Sequence, residues 1–211
     1  MDETDNVQDL LDRLQQGDQD ALADLFSRHR DRLERMVEFR IDSRLKGRVA
    51  ASDVLQEAYI DALKRLPHYQ ADSGMPFFLW LRWVTTQRLI EVHRQHLGAQ
   101  IRDAGREVSI GRVEGPAASS AKMAEFIGDL TSPSQAVQRA ETMAQLQQAL
   151  EALDPIDREV LALRHFEELS NREAAAVLGI QPAAASKRYV RALERLKATL
   201  SQLTGFDRED P

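Results

Sequence analysis

The sequence predicts an all-α protein, with two small helical domains joined by a flexible linker. Three observations carry that expectation. Apolar residues recur at helical spacing along most of the 211 residues. No strong strand signal interrupts them. Between Leu97 and Ser134 the pattern breaks into Gly, Ser, Pro and Ala, with order expected only from Met123 to Leu130. A structureless stretch of that length inside one domain would be unusual, so it reads as a linker. The expected boundaries are 1–97 for the first domain, 98–133 for the linker, 134–204 for the second domain and 205–211 for a tail.

Composition narrows the function classes. Apolar residues make up 43% and charged residues 29%, as in a soluble helical protein. The absence of cysteine excludes disulfides, thiolate catalysis and Cys-ligated zinc. No apolar run approaches the roughly 18 residues that cross a membrane. The acidic start, MDETDNVQD, lacks the basic n-region of a signal peptide, so a cytoplasmic protein without membrane insertion is expected. A net charge of -6 argues against coating nucleic acid by electrostatics alone, because Lys and Arg supply most non-specific affinity. Any grip on nucleic acid must come from local basic faces or from a partner.

In the first domain, Asp9 to Gln16 forms an amphipathic helix ended by Gly17, and Asp18 can cap the next. Leu22, Leu25, Phe26, Leu33, Met36 and Val37 run down one face of that second helix to about Ile41. The basic stretch from Arg28 to Arg48 reads as a solvated face rather than a phosphate site. A third helix opens at Ser52 or Asp53, where a hydroxyl or carboxylate suits a helix start. Its apolar face is Val54, Leu55, Ala58, Tyr59, Ala62, Leu63 and Leu66, leaving Gln56, Glu57 and Asp61 to solvent or a partner; Pro67 stops it. After a polar loop, Pro76 begins a helix that is apolar almost all round, from Phe77 to Val84. Such a helix is either the centre of a bundle or has aromatics to spare. Trp80 and Trp83 cannot easily share one core, and an aromatic near Arg82, Arg88 and Arg94 suits stacking on unpaired bases, although a core stripe is the plainer reading.

In the second domain a helix runs from Ser134 through Leu153, and Asp154-Pro155 starts the next. Ser170 followed by Glu173 is a capping box, Gly179 can end that short helix in the left-handed conformation, and Pro182 suits the first turn of another. Ala185, Tyr189, Ala192, Leu193, Leu196 and Leu200 make a buried stripe on this last helix, opposite Ser186, Lys187, Arg188, Arg191 and Arg195. Two helices at a tight turn, the second with a cationic face, form a helix-turn-helix whose second helix enters the DNA major groove. An ordinary helical hairpin with a solvated basic face would have the same spacing.

Together these stretches carry a resemblance. Asp53-Val-Leu-Gln-Glu57, then Phe77-x-x-Trp80-Leu81, then Leu153-Asp-Pro-x-x-Arg158-Glu-Val-Leu161 leading to Arg188-x-x-Arg191-Ala192, is similar to the extracytoplasmic-function (ECF) subfamily of bacterial sigma-70 sigma factors. The resemblance implies an alternative sigma factor that binds core RNA polymerase at its clamp helices and flap, recognises promoter DNA and helps open it. By position, Asp53, Gln56 and Glu57 fall in the clamp-docking helix. Tyr69 and Gln70 fall in the loop resembling the pocket for a flipped minus-10 base, with Trp83, Gln87 and Arg94 on the helix that follows. Pro182, Ala183, Ala184, Ser186, Lys187, Arg188 and Arg191 fall on the face reading the minus-35 element.

The chain also departs from the family pattern. Two carboxylates common before Leu-x-Gln-Glu are missing from Ala50-Ala51-Ser52-Asp53, which makes Ser52 a candidate regulatory phosphosite. The same position also suits a plain N-cap. An anti-sigma factor or a Ser/Thr kinase is the candidate controlling partner, with control by expression level left open. No enzyme is expected, and no cofactor or metal: His93 and His96 lie three apart near Glu91 without an evident further ligand. The alternatives are a helix-turn-helix regulator that is not a sigma factor and a helical protein-binding adaptor.

Overall fold

A computed structural model describes residues 3–16, 18, 20–45, 47–69, 75–97, 117–129 and 136–204. The chain divides into two compact units, 1–107 and 108–211. Among the described residues every regular element is helical.

In the first unit, α1 (Glu3–Gln15) begins six residues before the expected Asp9. Asp18 works as expected at the next helix start: it takes the guanidinium of Arg13 at 2.7 Å and the backbone N-H of Asp20 at 3.0 Å. From there α2 (Asp20–Arg40) buries Leu22, Leu25, Phe26, Leu33, Met36 and Val37, the face read from the sequence. The third helix, α3 (Ala51–Arg65), starts one residue earlier than expected. Ala50 occupies its N-cap and offers no side-chain acceptor, so Ser52 lies inside the first turn and is not the cap. The last helix of the unit, α4 (Phe77–Leu97), packs on both α2 and α3 and is buried on nearly every side. It is the centre of the bundle. Its interior tolerates Thr85 and Thr86 because each hydroxyl donates one turn back, to the carbonyls of Leu81 and Arg82.

The corner after α2 is tied to α4 by the backbone N-H of Asp42, which donates to Nε2 of buried His93 at 3.1 Å. The Asp42 carboxylate takes two parallel bonds from Arg44, at 2.9 and 2.8 Å, and this pairing holds its carboxyl down to about 2. A depressed carboxyl stabilises the fold above its unfolded value of about 4, and that contribution disappears as pH falls through 2. The stability gap between wild type and Asp42→Asn, measured by urea unfolding, should be widest above pH 4 and close by pH 2.

The second unit begins inside the stretch expected to be linker. There α5 (Ser120–Asp129) packs on α6 (Ala136–Glu151), with Met123 and Ala124 buried. Ala118 and Ser120 have linker-like composition yet are buried as well. Small side chains fit this close approach, which is why composition misread them. Ser134, the expected cap of α6, lies outside the described residues. The short helix α7 (Pro155–Leu161) holds this segment: Glu159 accepts the N-H of Ala118 at 3.2 Å, and Arg158 donates to Oγ of Ser120 at 3.2 Å and to the carbonyl of Leu150 at 3.4 Å. A π-turn, Ala162–Phe166, follows directly and buries Leu163 and Phe166. The chain then reverses through Glu168, at φ 53°, with Arg164 donating to the carbonyl of Leu169 at 2.7 Å. It enters α8 (Asn171–Leu178) and finally α9 (Pro182–Thr204).

Candidate nucleic-acid interfaces and docking surface

The helix-turn-helix is built by the devices its sequence announces. Ser170 Oγ accepts the N-H of Glu173 at 3.2 Å, and the Glu173 carboxylate accepts the N-H of Ser170 at 2.7 Å. Gly179 ends α8 at φ 63°, ψ 33°, a conformation that costs a residue with a Cβ. Asn171 reaches across the turn and donates to the carbonyl of Pro182 at 2.9 Å. Ala174, Ala175, Ala185 and Ala192 are buried where the helices of this unit meet.

On α9, Pro182, Ala183, Ser186, Lys187 and Arg191 are exposed, and Ala184 is half-buried. Arg188 is half-buried and bonded within the unit. It donates to the buried carboxylate of Asp157 at 2.9 Å, while Arg195 donates to the other oxygen of Asp157 at 3.2 Å and to Asp154 at 2.9 Å. Sequence spacing put Arg188 on a cationic face because it could not see an acid on α7. Tyr189 packs on His165 and its hydroxyl lies 3.0 Å from the ring nitrogen Nε2; burial, then the nearby Arg164 charge, hold His165 below its ordinary value. Leu193, expected in the buried stripe, is 38% exposed, and Val190 is 51% exposed. The face of α9 that packs on α6, α7 and α8 is narrower than the apolar spacing implied.

The expected minus-10 residues divide into two environments. Tyr69 sits in an aromatic cluster, with ring centroids 5.4 Å from Phe77 and 4.9 Å from Trp80, and its hydroxyl donates to the carbonyl of Met75 at 3.1 Å. Burial raises its pKa. Trp80 is buried with it, whereas Trp83 lies partly open under the guanidinium of Arg65, 5.0 Å from the ring centroid. The indole N-H of Trp83 and the amide nitrogen of Gln87, one turn on, are covered and have no hydrogen-bond partner. Unmade bonds of this kind cost roughly 1 to 3 kcal/mol each and call for an explanation.

The cations expected beside the aromatics are otherwise engaged. Arg82 is buried, Arg88 donates to Asp61 at 3.0 Å and pairs with Glu57 at 3.2 Å, and exposed Arg94 pairs with Glu91 at 2.6 Å. Arg65, which the sequence reading passed over, is the cation beside Trp83. A basic residue within a few positions of the helix end before Pro67 was the available signal. Gln70 lies outside the described residues.

The expected docking residues Asp53, Gln56 and Glu57 are all exposed on α3. An open groove of ≈ 570 Å³ runs between α2 and α3, lined among others by Ser27, Arg30, Ser52, Asp53, Gln56 and Tyr59. Arg30 stands across it from Ser52 and reaches its nearest carboxylate, Glu34, only at 3.9 Å. Glu57 faces away toward Arg88.

Among the described residues no group of three or more His, Asp or Glu is placed to hold a metal ion, and His93 is occupied by the Asp42 backbone. No helix of the described residues is long and apolar enough to cross a membrane. A family model described as ECF sigma factor matches residues 4–202. The chain is 30% identical over 197 residues to the RNA polymerase sigma-H factor of Pseudomonas aeruginosa, covering 93% of this chain and 94% of that protein. It is 29% identical over 181 residues to the ECF RNA polymerase sigma factor SigD of Mycobacterium tuberculosis, covering 86% and 77%. In fold it is similar to CnrH, solved in complex with the cytosolic domain of CnrY, with a TM-score of 0.51 and 24% identity over 92% of this chain and 96% of that one.

Proposed function

The chain belongs to the ECF sigma factor family, and on that premise we propose that its first helical unit docks on core polymerase and opens the minus-10 element while its second reads the minus-35 element. As a sigma factor it binds core RNA polymerase, directs it to specific promoters and helps open the DNA for initiation. We place its work in the cytoplasm, with an anti-sigma factor, a kinase or expression level as the means of control. The observation that carries this reading is the family match running through both the aromatic helix α4 and the helix-turn-helix.

In this reading Asp53, Gln56 and Glu57 of α3 meet the clamp helices. Trp83, Gln87 and Arg94, with Tyr69 and Gln70 of the preceding loop, receive the melted strand, and Arg65 joins them beside Trp83. The indole face and the two unpartnered nitrogens support it: a base that displaces Arg65 from the face stacks there for about 1 to 3 kcal/mol, while a neighbouring nucleotide at the ring edge supplies acceptors for the orphaned donors. The protein has no bond to make or break. It needs only to hold an extruded base better than the duplex does. On α9, Pro182, Ala183, Ala184, Ser186, Lys187 and Arg191 face the minus-35 element, and Arg188 stays on Asp157.

The test is co-purification with core polymerase followed by run-off transcription. Lys187→Ala and Arg191→Ala should reduce minus-35-dependent initiation by about 5- to 160-fold, the equivalent of 1 to 3 kcal/mol for a lost contact, with core binding retained. A chain that binds promoter DNA but never supports initiation is a repressor, and one that binds protein but shifts no DNA is an adaptor.

Ser52 belongs to the same surface as a candidate phosphosite. Ala50 holds the cap position, Ser52 is exposed in the first turn, and Arg30 stands on the far side of the groove. A phosphate there would meet the positive end of α3 and a guanidinium, restoring charge beside the docking residues. Ser52→Asp or Ser52→Glu should tighten core-polymerase binding over Ser52→Ala by a factor that shrinks as salt rises. Equal binding of all three, with no phosphate on Ser52 by mass spectrometry of the active protein, leaves Ser52 an ordinary first-turn residue.

A further inference from the structure

Asp157 is a buried carboxylate of the promoter-reading unit, with a side chain 3% exposed, and both of its oxygens are taken by the same helix. Arg188 and Arg195 are seven residues apart, so their side chains leave α9 along nearly one line, two turns apart. A carboxylate held at each oxygen by one of them fixes α9 against α7 both in rotation and along its axis. Asp154 adds a second bond to Arg195, and the four charges of the cluster cancel. Lys187 and Arg191 project about 60 to 100° around the helix from that line. They are exposed and pair with no carboxylate among the described residues.

We propose that Asp157 is a positioning residue for promoter reading: it sets the rotation of α9 by gripping Arg188 and Arg195, and withholds those two guanidinium groups from DNA phosphate. The cations that α9 offers to DNA are then Lys187 and Arg191. This inference rests on the minus-35 role of the second unit. It gives the helix few phosphate contacts and a fixed facing, so that discrimination rather than general attraction sets where it binds. A buried carboxylate is suited to the task, because losing one arginine leaves its charge uncompensated and the arrangement therefore does not drift.

The experiment measures closed-complex affinity of the full chain, assembled with core polymerase, for DNA with an intact or a scrambled minus-35 element across a salt titration. Each phosphate contact adds about 0.9 to the slope of log affinity against log salt. Arg188→Gln should lower affinity for the intact element by a similar factor at every salt concentration, leaving the slope unchanged. Asp157→Asn should steepen the slope by about one for each freed arginine that reaches phosphate, and should narrow the preference for intact over scrambled DNA. A slope flattened by about one in Arg188→Gln, or unchanged affinity in that variant, overturns the inference. So does an Asp157→Asn protein with native helicity, slope and preference. If Asp157→Asn fails to fold, Arg188→Gln decides by the same outcomes. Wild-type protein indifferent to the minus-35 element would overturn the promoter reading itself and the positioning role with it.

Discussion

Trp80→Ala will unfold the first helical unit, whereas Trp83→Ala, three residues away, will leave it folded and impair promoter opening. Trp80 is 6% exposed and packs against both Phe77 and Tyr69, so its removal leaves a cavity in an aromatic cluster. Truncations of that size cost about 3 to 5 kcal/mol. Against a total stability of roughly 5 to 15 kcal/mol for a domain, that is enough to populate the unfolded state. Trp83 makes no hydrogen bond that its loss would break, and its ring is covered on one side by the flexible side chain of Arg65. Its absence should therefore lower permanganate reactivity of the melted strand more than closed-complex formation. Circular dichroism separates the two variants. A folded Trp80→Ala protein, or a Trp83→Ala protein that unfolds, would reverse the assignment of core and surface.

A fragment cut at the sequence-predicted boundary, 134–204, will not fold cooperatively, but 117–204 will. The shorter fragment lacks α5, and with it buried Met123 and Ala124, so Leu146, Ala149 and Leu150 of α6 lose cover. Losing one buried methionine side chain alone costs about 2 to 5 kcal/mol. Arg158 and Glu159 of α7 also lose Ser120 and the N-H of Ala118. Urea unfolding of the two fragments, followed by circular dichroism, checks this directly. A sharp transition of equal midpoint in both would make α5 a passenger.

The elements legible in the sequence were those whose signals are local. The capping box at Ser170 and Glu173, the turn at Gly179 and the apolar face of α2 each depend on residues within a few positions of one another. The aromatic half of α4 was legible as either the centre of a bundle or a helix with aromatics to spare, because Phe77 to Val84 leaves almost no polar face. What sequence reading missed depends on partners distant in the chain. Arg188 looked available until Asp157, thirty-one residues earlier, was placed beneath it. Arg30 and Ser52 are brought to one groove by the packing of α2 on α3, and Arg65 comes to Trp83 across the loop after α3. Residues 117–122 have the composition of a linker although Ala118 and Ser120 are buried, because small residues signal either slack chain or close packing and composition does not distinguish them.

The π-turn at Ala162–Phe166 has a consequence for length rather than for chemistry. Such a turn closes five residues apart where an α-turn closes four, so it houses one residue more than the regular helix would. Excising one residue would let the turn close as a regular α-turn and leave the positions after it, Phe166 and Leu169 among them, close to their present facing, because the wider turn spends its extra residue on nearly the same rotation. Single-residue deletions between Ala162 and Phe166 should thus be milder than deletions inside α7 or α8, where each turns every later side chain of the helix by about 100°, and a library of in-frame codon losses should show more survivors in this turn than in the helices on either side.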